Sequence, residues 1–340
     1  MTLPRGAVWQ ELRAACLDAV PPETRVDWRH PTTLARWQAT GFYTVSSMTS
    51  TRFLIVAPSS DLGGALLADA EYFLDHAAEQ QVTLHRHIHS ADWLSPAWLA
   101  VTLYYWGFFL TLALTRLLGM SAWYITRDVA RDLRRLSPTP VGIPPGAGSF
   151  RIACGSVVSA TDRELLLSKT KRRVHEEAWV ALWESLDSKL SAVPQRSRDP
   201  WEDRLYTAMT RAGRYLGADW PSAFRNIVNY RPGLGYTAVR RARVLSSLAY
   251  LDAPTTYPAD VLIDRLENSV ARIQPASPIA EQLQGVSELL AYYVFAVYAI
   301  VNGLHGELIE RHRLDPRGHH ARKRFLREHG LMNDDGTWPT

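Results

Sequence analysis

Between Trp93 and Thr115 the chain reads WLSPAWLAVTLYYWGFFLTLALT, with no charged residue and with Tyr104, Tyr105, Trp106, Phe108 and Phe109 crowded into its middle. At a period near 3.6 the run is apolar on every face, which leaves a helix buried all round or a membrane span. A second run, Leu289 to Leu304 (LLAYYVFAVYAIVNGL), has the same character. The first is long enough for the ~20 residues a span requires. Against a span, Pro96 and Gly107 interrupt it, and its Tyr and Trp lie mid-run instead of at the ends. The second run is short for a span. With 46% apolar and 21% charged residues the composition is globular. The two runs are therefore expected to be central helices of one bundle, with no membrane partner, and an integral membrane protein is the weaker alternative.

At 340 residues the chain holds one large domain or two ordinary ones. Its 12 Trp and 14 Tyr point to thick helix packing before ligand stacking, since aromatics carry so much buried area. Cys16 and Cys154 make no disulfide framework or zinc cluster. With no signal-peptide pattern visible at the N-terminus, a cytoplasmic location is expected.

In chain order, ELRAACLDAV is a short amphipathic helix ended by Pro21-Pro22, and Gly41 to Pro58 reads as two strands about a polar turn. Asp61-Leu62-Gly63-Gly64 breaks the pattern, and Ala65 to Gln80 is helical. His85, His87 and His89 alternate, so on a strand they share one face; a solvated face is the expectation there, not a metal site. Arg127 to Arg135 is a charged helix stopping before Pro138. The Pro-Gly loop that follows matches no phosphate-cradling pattern, and no cofactor is expected. Phe150 to Ser159 is a strand or hairpin that pairs with the N-terminal strands. Asp162 to Leu190 has a long helical pattern, Pro194 to Pro200 is a linker, and Pro200 opens the next helix at its favoured first position.

Charge is unevenly placed on a chain of net +4. Lys169, Lys171, Arg172 and Arg173 form one cluster, and Arg322, Lys323 and Arg324 lie in a basic run from Arg311 to Arg327. Such clusters are the footprint of a phosphate backbone, or else solvated faces. With Arg231, these are the candidate nucleic-acid contacts.

Between the two apolar runs lies DWPSAFRNIVNYRPGLGY. Asp219 caps a short helix from Ser222 to Tyr230, Pro232 stops it, and a further helix begins at Thr237. Two features here and upstream carry a resemblance. Tyr104-Tyr105-Trp106-Gly107-Phe108 is similar to a Tyr-Tyr-x-x-Phe signature, and Arg225-Asn226-Ile227-Val228-Asn229-Tyr230 to an arginine, polar residue, short gap, histidine motif. Together they resemble the HEPN superfamily of helical bundles, many of them metal-independent ribonucleases in bacterial toxin and phage-defence systems. The resemblance covers residues 93–310. It implies that Arg225 holds the scissile phosphate, that Asn226 is the polar residue beside it, and that the site forms between two copies of the chain.

The sequence departs from that pattern where it matters. No histidine follows Arg225 within the gap; Asn229 and Tyr230 stand there instead. An amide exchanges no protons at working pH, and a tyrosine of pKa about 10 is a poor base. An imidazole must come from elsewhere, with His175 and His305 as the candidates. No GxSxG elbow, HExxH or facing carboxylate pair offers another chemistry.

The expectation is a mostly α protein: a small mixed α/β region over residues 1–92, a HEPN-like bundle over 93–310 with a loop and strand insertion near 137–160, and a basic tail over 311–340. Its expected function is a toxin or phage-defence ribonuclease using Arg225, Asn226, Asn229 and Tyr230. It would act on RNA as a homodimer, with a partner protein of a toxin–antitoxin or defence complex. The alternative is a non-catalytic interaction or scaffold subunit.

Overall fold

The computed structural model describes residues 3–24, 26, 31–89, 96–137, 145–230 and 258–332. These are mostly helical, 66% in 11 helices, with a small antiparallel sheet. Helices α1 (Ala7–Ala19) and α2 (Leu34–Thr40) precede the hairpin of β1 (Thr44–Met48) and β2 (Arg52–Pro58), then come the long α3 (Ser59–His89) and α4 (Pro96–Leu117). Next are β3 (Met120–Ile125), α5 (Arg127–Leu136), β4 (Gly148–Val157) and β5 (Asp162–Lys169). The chain finishes with α6 (Val174–Ala192), α7 (Pro200–Leu216), α8 (Trp220–Tyr230), α9 (Ala259–Ala271), α10 (Leu283–Glu310) and α11 (Pro316–Glu328).

Helix α4 is the axis, packed against α3, α6, α8 and α10. Its approach to α10 depends on Gly107: a Cβ there would stand 2.4 Å from Val294 Cγ2 and 3.2 Å from Trp179 Cη2. Trp106 meets Phe295 edge-on at 5.0 Å just beside this contact. Gly107→Ala is therefore expected to lower stability by about 1–3 kcal/mol through overpacking, despite the gain in helix propensity. The urea midpoint measures this. Helices Ala97–Leu117 and Leu283–Glu310 are both long and apolar enough to cross a membrane, but 72% and 78% of their most apolar windows are buried against other helices. The bundle is closed at α1 by Glu202 of α7, whose carboxylate accepts from Val8 N at 3.0 Å and Trp9 N at 2.6 Å, a remote cap for the first turn.

The sheet has the order β1-β2-β5-β4-β3. Phe53, Ile55, Phe150, Ile152, Leu165 and Leu167 point inward, packing on α2, the start of α3 and α5. Arg163, at the inward end of β5, donates to Asp18 O and Asp18 Oδ2 and fastens α1 to the sheet.

Several expectations need correction. Residues 162–190 are not one helix. β5 alternates Arg163, Leu165 and Leu167 inward and ends at Lys169, and α6 starts at Val174. His85, His87 and His89 fall on α3, not on a strand, because Leu84 and Ile88 repeat one helical turn apart on the core side. Gly63 and Gly64 lie inside α3, where Gly63 lets Thr24 and Pro21 approach the helix closely. β3 was missed. The 150–159 strand pairs with β3 and β5, joining the N-terminal hairpin only through β5. Residues 194–200 are no linker, since Arg198 ties them to the Leu190 and Val193 carbonyls and to Asp203.

The boundary at residue 92 marks no break either, because β2 from one side pairs with β5 from the other. The basic run after residue 311 is no free tail. Arg313 donates to the carbonyls of Leu17 and Val20, and α11 docks on α3 through Leu326, Ala78 and Val82. Tyr104, Tyr293 and Phe295 are buried as expected, whereas Tyr105 and Phe109 are only half-buried. The helix expected from Thr237, and Arg231, lie outside the described residues.

Candidate active site

Helix α8 begins where Asp219 O accepts from Ser222 N and Ala223 N, and it buries Phe224, Ile227 and Val228. That periodicity turns Arg225 and Asn226 to the half-exposed side, facing α4. One guanidinium nitrogen of Arg225 donates to Tyr105 Oη at 2.6 Å and another to Asn226 Oδ1 at 2.9 Å. The guanidinium also lies 5.5 Å from the Tyr105 ring centre, 5.2 Å from that of Tyr230 and 5.9 Å from that of Tyr104. Its Nε has no hydrogen-bond partner among the described residues. Among the described residues no carboxylate pairs with Arg225, so its charge rests on phenols, an amide and ring faces. Tyr230 and Asn229 are exposed at the end of α8.

The imidazole absent from the motif arrives from another helix. His175, in the first turn of α6, stacks on Phe108 with ring centres 4.1 Å apart and 5° between planes. Its Nδ1 is 3.1 Å from Tyr104 Oη. Trp179 Nε1 donates to the same oxygen at 3.4 Å, and Ser222 also bonds to it. Partial burial, then the positive charge of Arg225, lowers the His175 pKa below its ordinary 6.5, so the ring is neutral at neutral pH. Burial pushes the Tyr104 phenol up to about 12, which keeps its proton in place. His305 does not reach this site. It is buried between Glu71 and Arg322, its Nε2 2.5 Å from Glu71 Oε1.

The basic residues divide. Lys169, Lys171 and Arg172 line an open concavity of about 650 Å³ with Arg52 and Arg151, interrupted by Glu177 and Glu184, which pair with Arg151. Arg173 is exposed at the N-cap of α6, two residues before His175. Arg322 faces inward instead, 2.7 Å from Glu71 and 2.9 Å from Asp75, and is not available to a phosphate. Arg324 is exposed and Lys323 half-buried.

Comparison with protein-family models, with curated proteins and with solved structures gave no match to this chain.

The site is thus defined by its own geometry: Arg225 on α8, Tyr104 and Tyr105 on α4, and His175 on α6. Sequence reading named Arg225 from its motif and His175 only as one of two distant candidates. It gave Tyr105 a place in a packing signature and no role toward Arg225. A half-exposed aromatic strip continues from Tyr105 through Phe109 to His76 and Tyr72, with ring centres 6.3, 5.2 and 4.5 Å apart in turn. No sequence motif signals it, because residues 72 and 76 lie on α3 and reach α4 only through packing.

Proposed function

We propose that this chain is a cytoplasmic, HEPN-like endoribonuclease of the toxin or phage-defence kind, acting without metal and as a homodimer. The observation that carries the reading is a guanidinium with no carboxylate partner among the described residues, set on Tyr105 while a half-buried imidazole sits on the adjacent Tyr104. That pairing suits in-line attack by a ribose 2′-hydroxyl. His175 Nε2 takes the proton from O2′, the O2′–P bond forms as the P–O5′ bond breaks, and the proton passes on to O5′. Arg225 holds the negative charge that builds on the phosphoryl oxygens. Tyr104 bears on the required tautomer: when its oxygen accepts from His175 Nδ1–H, the Nε2 lone pair is left free to take the proton. The concavity at Lys169, Lys171 and Arg172 supplies backbone contacts for the RNA.

Product-end analysis tests this. Wild type yields 2′,3′-cyclic phosphate ends, with or without chelator, and His175→Ala loses about 10²–10⁴ in rate, as expected for removing a general base. Because His175 titrates below 6.5, the rate stays level around neutrality and falls only on further acidification. A wild-type chain that leaves RNA intact would instead support a non-catalytic interaction subunit, the reading favoured by Asn229 and Tyr230 standing where a motif histidine belongs.

A further inference from the structure

Helices α3, α10 and α11 do not close on one another completely. Between them, backed by Trp106 and Leu110 of α4, is a cavity of about 310 Å³. Its walls are largely apolar, with Leu74, Tyr298 and Leu326 among them. Polar side chains line it as well, with Lys323, Asn302 and Gln81 coming from α11, α10 and α3.

The charge balance around the cavity is uneven. Arg322 also borders the cavity, but Glu71 and Asp75 compensate its charge at 2.7 and 2.9 Å. His319 contributes no charge, since burial and then the neighbouring His305, Lys323 and Arg322 push it down to about 3. Lys323 is half-buried and makes no ion pair among the described residues. Lys323 is therefore a lining cation that no described carboxylate compensates, beside walls that are largely apolar. Trp106, another lining residue, has a buried indole N–H with no acceptor among the described residues. Gly306 of α10 also borders the cavity, and nothing lies within 4 Å of the place its Cβ would occupy. Small-molecule pockets combine such features: apolar walls, few and convergent polar groups, and a volume from about 300 Å³ upward.

We infer that this cavity binds a small amphipathic monoanion, its apolar body against the walls contributed by α3, α4 and α10 and its single carboxylate, sulfonate or phosphate monoester on Lys323. A single uncompensated lining cation among the described residues does not match a polyphosphate, and the volume excludes a large ligand. The site is separate from the Arg225 and His175 cluster, and the inference does not rest on ribonuclease activity.

The test uses the full chain and 8-anilinonaphthalene-1-sulfonate, an aromatic body bearing one sulfonate. Fluorescence titration is expected to show one saturable site. Lys323→Gln, at a half-exposed position that leaves the fold alone, weakens it about five- to tenfold at low salt and removes most of its salt dependence. Gly306→Leu fills the open space and abolishes binding while keeping the helical circular dichroism signal. The uncharged analogue N-phenyl-1-naphthylamine binds wild type and Lys323→Gln alike. Absence of a saturable site in wild type, or affinity unchanged in Lys323→Gln, overturns the inference. So does binding that survives in a folded Gly306→Leu chain.

Discussion

Arg225→Ala is expected to cut single-turnover RNA cleavage by about 10³-fold or more, the range found when a guanidinium that stabilises a transferring phosphoryl group is removed. The fold should not change, because Arg225 is half-exposed and its removal leaves no carboxylate unpaired among the described residues. Arg225→Lys should rescue little. A guanidinium bonds Tyr105 Oη and Asn226 Oδ1 through two nitrogens while its centre lies 5.5 Å from the Tyr105 ring, whereas an ammonium is a point charge without that fork. Tyr105→Phe separates positioning from charge: it keeps the ring, loses the 2.6 Å contact, and should cost far less than removing the arginine. Full cleavage by Arg225→Ala would take this cluster out of the chemistry altogether.

The second large effect is on stability. Glu71 is buried, holding His305 Nε2 at 2.5 Å and an Arg322 nitrogen at 2.7 Å. Glu71→Ala leaves a buried imidazole and a guanidinium without their shared acceptor, and is expected to cost about 3–5 kcal/mol. Asp75, 62% exposed, retains only part of the hold on Arg322. Because Arg322 is on α11 and Glu71 on α3, early protease cleavage should fall within α11. The pH dependence has a definite sign. Burial alone would raise the Glu71 pKa, but His305 and Arg322 more than offset it and hold the group below its ordinary 4.5. A carboxyl depressed in the folded state contributes stability that is present above 4.5 and is lost as pH falls through the folded value. Urea midpoints should therefore drop more steeply on acidification in wild type than in Glu71→Gln; parallel curves would refute the assignment.

The helices that announce themselves in the sequence are the ones whose whole surface is apolar. α4 and α10 could be read because Trp93 to Thr115 and Leu289 to Leu304 leave no polar face to explain. α7 could be read from Asp199-Pro200, where cap and first-turn proline coincide and Asp199 does accept from Trp201 N and Glu202 N. β5 could not, since three consecutive leucines satisfy a helical stripe as well as a strand, and the decisive inward position is held by Arg163, a charged residue. The docking of α11 was hidden because the residue that fastens it, Arg322, looks in sequence like one more solvated cation. At the candidate site, Arg225 had a local motif to mark it. His175 had none, because its approach to Tyr104 is created by the packing of α6 on α4 and by nothing near it in the chain.

The pairing of β2 with β5 carries a cost in assembly. Leu54 finds Leu166 and Phe53 finds Leu167 only after the chain has passed through α3, α4, β3, α5 and β4. Closing so long a loop is entropically slow, and native contacts of high sequence separation are those that delay folding. The α3–α4 pair, adjacent in sequence and closely packed, shortens that search by holding the ends of β2 and β3 on one side of the molecule. During synthesis the β1–β2 hairpin must therefore wait, with the β2 edge open, until residues 162–169 have emerged. An open edge of that kind is a site for pairing with another chain, so yield from a ribosome should depend on how soon β5 closes it.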